Sequence, residues 1–174
     1  MASFTSVFNF LLGVGTITFL LLSLYFVFQL LSGSKIPSFW SKNAYFFAFL
    51  VSLVSILGSL IYSLVIGFPP CDRCWYQRIF MYPLAFIFGM AHFKKEHILV
   101  KTAFPLIIIG LIIALYHNIV SIWGVSPIPC STDVSCTVRF VYVWGFVSIP
   151  LMSLASFLLS LLFFVVGRKA DMKK

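Results

Sequence analysis

Charge is scarce in this sequence. Only 9% of its 174 residues are Asp, Glu, Lys or Arg, and four of those are acidic. Charged residues normally make up about a quarter of a soluble chain, so this composition cannot cover a domain of this length with polar surface. Internal repeats and low-complexity stretches are missing, and no polar segment is long enough to form a separate soluble domain. The whole chain therefore reads as one domain, and solenoid or multi-domain arrangements are set aside. The apolar runs also lack the buried acids and bases that ion-coupled carriers usually need, which argues against a transporter. No Lys or Arg precedes the first apolar run, and that run is about twice the length of a signal-peptide core, so it reads as a spanning helix.

Apolar residues make up 61% of the chain, and the mean hydropathy is +1.09. Lipid is the natural solvent for such a sequence. Runs of roughly 18 or more apolar residues can cross a hydrocarbon core about 30 Å thick. They are expected at residues 7–31, 44–66, 75–92, 98–121 and 141–166. The third is the weakest, because Gln77 and Arg78 sit in its first turn. The expectation is an all-α membrane protein with five transmembrane helices.

Basic residues orient it. Lys35, Lys42, Lys94, Lys95, Lys101, Lys169, Lys173 and Lys174 all fall in links or ends on one side of this pattern. The other side holds only Asp72, Arg73, Arg78, Asp133 and Arg139. Positive-inside bias puts the lysine side and the C-terminus in the cytoplasm, and the N-terminus outside. The net charge of +8 is thus an orientation signal and implies no nucleic-acid partner. Cys71, Cys74, Cys130 and Cys136, the four cysteines of the chain, then all face the outside, where disulfides persist. Cysteine took no part in deriving the topology, so this agreement carries weight.

Cys71-Asp-Arg-Cys74 is a Cys-x-x-Cys motif, a spacing that holds two sulfurs within bonding reach at a helix start and often depresses a thiol pKa. Pro69-Pro70 should force the third helix to begin at or near it. Cys74 would then sit in the first turn, where free backbone N–H groups favour a thiolate. Arg78 follows one turn later on the same face. A fixed cation at a membrane edge either snorkels or serves a site. With Cys74 it would suit an electron acceptor that gains negative charge on reduction. The second pair, Cys130 and Cys136, lies in a Ser/Thr/Pro-rich loop, and an exposed, easily exchanged disulfide there suits a relay. His117 lies near the outer end of the fourth span, beside Asn118; it is either a packing residue or a donor to a bound carbonyl. Trp75, Tyr76, Trp123 and Trp144 read as an interfacial aromatic belt. Four cysteines could alternatively bind a structural zinc ion.

The string "CDRCWYQRI" at residues 71–79, the outer-loop pair Cys130/Cys136 and His117 resemble the DsbB disulfide-bond-formation family, in particular its short-loop, BdbC-like branch. The resemblance covers about residues 44–166. It implies a four-helix bundle that reoxidises a soluble, DsbA-like thioredoxin-fold thiol oxidase and passes two electrons to a membrane quinone, ubiquinone or menaquinone. Cys130 would be attacked by the partner's thiolate, and Cys136, once released, would attack Cys71. Cys74 would then be the thiolate that meets the quinone, with Arg78 stabilising charge and His117 matching the quinone-side histidine by position. The implied location is the bacterial plasma membrane. Two features depart from the pattern: the loop cysteines are separated by only five residues, and residues 1–43 add an N-terminal helix and cytoplasmic link to a bundle at 44–174. A vitamin-K-epoxide-reductase type is the rival enzyme, but there the loop pair precedes the Cys-x-x-Cys. A non-enzymatic scaffold with structural zinc or disulfides is the third reading.

Overall fold

A computed structural model describes residues 2–34, 36–95, 98–124 and 140–172. In lipid, backbone polar groups must be satisfied within the segment, so long apolar runs become helices. The described residues form α1 (Ala2–Leu31), the short α2 (Ser38–Lys42), α3 (Ala44–Leu60) continuing into a π-helical turn (Ile61–Val65), α4 (Asp72–Phe93), α5 (Val100–Trp123) and α6 (Ile149–Asp171). Helices α3, α4, α5 and α6 close into a ring in chain order, and α1 packs outside it against α6.

Among the described residues, four helices are long and apolar enough to cross a membrane: Ser3–Leu31, Ala44–Val65, Val100–Trp123 and Ile149–Asp171. The expected fifth, α4, is 22 residues long but is not among them. Asp72, Arg73, Gln77 and Arg78 occupy its first two turns and lower its apolarity. Three of these, Arg73, Gln77 and Arg78, are buried in the protein.

The expected start of the last span at residue 141 is corrected to Ile149. Residues 143–147 form a tight hairpin instead, bridged between Val143 and Val147. Trp144 and Gly145, two of the three residues between the bridged pair, both take positive φ, 51° and 76°, a tight-turn backbone that no helix admits. Ser148 is extended, and Pro150 occupies the first turn of α6, where its missing N–H costs nothing.

The ends of the other helices follow local chemistry. The turn after α3 passes through Gly67 at φ +82°, a conformation that favours glycine. Pro69-Pro70 then prevents helix until Cys71, so α4 starts at the motif, as expected. Close packing sets the ring. A Cβ at Gly110 of α5 would collide with the Phe157 ring of α6, and one at Gly167 with Tyr45 of α3. At the lysine end, Phe26 of α1 is fully buried against Trp40 and Phe163, with ring centroids 5.5 and 5.2 Å away. Tyr45 donates to Asp171 there at 2.7 Å.

Candidate functional site

Cys71 is the residue immediately before α4, with extended backbone (φ −73°, ψ 167°), and Cys74 lies in that helix's first turn. Their sulfurs are 3.1 Å apart. Cys71 is buried and Cys74 half-buried. The Trp75 N–H already reaches the Cys71 carbonyl at 3.2 Å, so the helical hydrogen-bond ladder itself fixes the spacing of the two thiols.

His117 descends from α5 onto this pair. Its Nε2 is 3.8 Å from Cys71 Sγ, and Gln77 Nε2 lies 3.3 Å from its Nδ1. An amide nitrogen can only donate, so Nδ1 is the acceptor in this contact and Nε2 is left to present its N–H to the sulfur. Cys71 is held well below the usual thiol range. The hydrogen bond from the Cys74 thiol is the main cause and His117 adds to it, together outweighing burial, which acts the other way. Asn118, next along, bonds the carbonyls of Ala114 and Pro150 at 3.0 and 2.7 Å. It therefore ties α5 to the start of α6 rather than facing the thiols.

Arg78 does not snorkel. It is 7% exposed and crosses to α3, where Nε donates to Ser59 Oγ at 2.8 Å. Its Nη2 donates to the Ser59 carbonyl at 2.8 Å and to Ser63 Oγ at 2.9 Å. Trp75 lies over the same guanidinium at 5.2 Å, within cation–π range. The π-helical turn of α3 contains Ser63, and such widened turns recur at functional sites.

These groups border a cavity of about 150 Å³ whose lining includes Cys71, Cys74, Arg78 and His117, with Met81 and Phe157 among its apolar residues. Four of the six residues expected at the site are thus brought together. Cys130 and Cys136, the expected loop pair, lie outside the described residues. Sequence reasoning missed Ser59, Ser63, Gln77 and the buried Arg73, whose guanidinium stacks 4.8 Å over Tyr116. A usable signal existed for the serines, because Ser55, Ser59 and Ser63 recur at every fourth position of an apolar helix. The sulfurs of Cys71 and Cys74 and a ring nitrogen of His117 all lie within 4.8 Å of one another, a donor set that zinc would also accept.

Residues 41–167 match the family model described as disulfide bond formation protein DsbB. Disulfide bond formation protein C of Bacillus subtilis (strain 168) is 38% identical over 128 residues, covering 71% of this chain and 93% of that protein. A probable disulfide formation protein C 2 of Bacillus anthracis is 41% identical over 112 residues, covering 64% and 80%. A probable disulfide formation protein of Oceanobacillus iheyensis is 37% identical over 141 residues, covering 75% and 95%. No solved structure matches the chain significantly.

Proposed function

The chain belongs to the DsbB family of disulfide bond formation proteins, and on that premise we propose that it is a membrane thiol:quinone oxidoreductase. In this reading it takes electrons from a soluble, extracytoplasmic thioredoxin-fold thiol oxidase and delivers them to a membrane quinone. One observation carries it. Two thiols 3.1 Å apart border a largely apolar cavity into which a buried, fixed cation and a buried histidine also face. A quinone ring with two carbonyl oxygens is a flat apolar body with polar edges, and this lining matches both parts.

The partner's thiolate attacks Cys130 of a Cys130–Cys136 disulfide, releasing Cys136 as a thiolate. The partner's second thiol then resolves the mixed disulfide and leaves oxidised, with Cys130 reduced. Cys136 attacks Cys71 of the Cys71–Cys74 disulfide and frees Cys74. Cys130 closes the loop disulfide again, leaving Cys71 and Cys74 as a dithiol. Two electrons and two protons pass from that dithiol to the quinone, giving the quinol and re-forming the Cys71–Cys74 bond. Arg78, held by Ser59 and Ser63, keeps a positive charge where negative charge develops, and so needs no reorganisation during the step. His117 presents an N–H to the Cys71 sulfur and stabilises its anion. In this reading α4 is a fifth span, the sulfurs lie outside the bacterial plasma membrane, and the lysine end is cytoplasmic.

The test is quinone reduction by purified protein supplied with a reduced thioredoxin-fold oxidase. Wild type should turn over, and Cys74→Ser should be inactive; continued turnover by Cys74→Ser would exclude the scheme. A structural-zinc reading has the three-donor cluster in its favour. It requires stoichiometric zinc in protein purified without reductant, where a Cys71–Cys74 disulfide would leave no thiolates to bind it. Metal analysis should find none.

A further inference from the structure

The quinone reading leaves α1 without a role, since it lies outside the family match at residues 41–167. Yet Leu12, Gly15, Thr16 and Phe19 of α1 line the same cavity as Cys74 and Arg78. The helix is fastened there by several separate contacts. Tyr62 of the π-helical turn donates to Asn9 Oδ1 at 2.9 Å, and the Tyr62 ring packs edge-on against Phe8 at 5.1 Å. Leu12 lies 3.3 Å from where a Cβ on Gly58 of α3 would stand, and Trp144 of the hairpin lies 3.0 Å from the equivalent point on Gly13. Phe10 meets the same Trp144 edge-on, at 5.5 Å.

The wall so formed is apolar. Thr16, its polar member, is buried with its hydroxyl committed to the Leu12 carbonyl at 2.8 Å. The polar groups of the lining lie on the other helices, among them Ser59, Ser63, Arg78, His117 and Ser156. Gly15 is the point of interest on the apolar wall. A Cβ built there meets nothing within 4 Å, unlike its neighbour Gly13. The missing side chain is therefore not required by helix packing; it leaves volume in the cavity.

We propose that α1 is a wall of the acceptor site and that Gly15 sets how bulky a quinone the site admits. The proposal rests on the quinone reading. Replacing Gly15 with Leu should leave the helix sound, because Leu is the better helix former and its Cβ has room. Its side chain would instead take up cavity volume that a two-ring naphthoquinone uses more fully than a one-ring benzoquinone.

The experiment measures KM and kcat for both quinones with full-length wild type, Gly15→Leu and Gly15→Ala in lipid nanodiscs. For Gly15→Leu, KM for the naphthoquinone should rise about tenfold, the effect of forcing side-chain volume into occupied space, and KM for the benzoquinone should rise less. Gly15→Ala should shift selectivity in the same direction by a smaller step, which serves if the Leu variant does not accumulate. Wild type reducing both quinones while Gly15→Ala and any Gly15→Leu obtained keep its ratio of KM values would overturn the role of α1 alone. Wild type reducing neither would overturn the quinone reading and this proposal with it.

Discussion

At the scale of single residues, the site depends on how one proton is shared between Cys71 and Cys74. A thiolate on Cys71 accepts a hydrogen bond from Cys74 and faces the N–H of His117. Both interactions favour the anion, so the proton must leave at lower pH than from a free thiol, whose pKa is about 8.5. Ultraviolet thiolate absorbance of the reduced protein should therefore show a first transition below that value. Cys74→Ala removes the donor and should move the transition up by about one unit or more, since neutral hydrogen bonds to an anion are worth that much. His117→Ala should move it the same way by less. A first transition at the ordinary thiol value would show that neither contact acts on Cys71. Arg78 makes a separate prediction. Lys keeps the charge but not the planar fork that reaches Ser59 and Ser63 together, so Arg78→Lys should lower kcat/KM for quinone about tenfold while the protein still folds. Equal kcat/KM would reduce Arg78 to a bare charge. Cys71, Cys74, Arg78 and His117 were legible in the sequence because residue type and spacing alone single them out in an apolar chain. Gln77 was not, because its importance comes from α5 approaching α4, and no pattern within one helix encodes that approach; Ser59 and Ser63 showed only as a four-residue serine spacing along an apolar helix, which does not say what they face.

At the scale of elements, the helices were legible because lipid leaves an apolar run few alternatives. The start of α6 was not. Residues 140–149, "FVYVWGFVSI", are as apolar as a span, and hydropathy cannot distinguish a hairpin from a helix; the deciding feature is positive φ at both Trp144 and Gly145. The difficulty with α4 is the reverse, since Arg73, Gln77 and Arg78 are buried in the protein and apolarity alone says little about a helix whose polar residues face inward. Packing between elements makes a third prediction. Gly110 lets α5 approach the Phe157 ring so closely that even one methyl collides with it. Gly110→Ala should destabilise the bundle by about 1–3 kcal/mol, the usual cost of overpacking, despite the better helix propensity of alanine. Thermal unfolding in detergent would show this as a lowered midpoint relative to wild type. An unchanged or raised midpoint would mean that α5 and α6 separate freely and that their contact does not fix the position of His117.

At the scale of the whole molecule, chemistry and charge occupy opposite ends. The lysine end is assembled by Tyr45 meeting Asp171 and Phe46 meeting His92, at 2.7 Å and 4.9 Å. This places the ends of α4 and α6 beside the start of α3, and with them Lys42, Lys94, Lys95, Arg168 and Lys169. The dithiol end is assembled by Cys71 meeting His117, where α4 starts and α5 nears its close. A chain crossing a bacterial membrane retains its lysine-rich end in the cytoplasm, so the sulfurs should open to the outside, where a disulfide can persist. Because the bundle joins the two ends rigidly, labelling one reports on the other. In intact cells treated with a membrane-permeant reductant that is then washed out, a membrane-impermeant maleimide should modify Cys130 and Cys136. A cysteine introduced at Lys169 should react only after the membrane is opened. The opposite pattern would put the thiols in a reducing compartment, where no disulfide relay could run to a quinone.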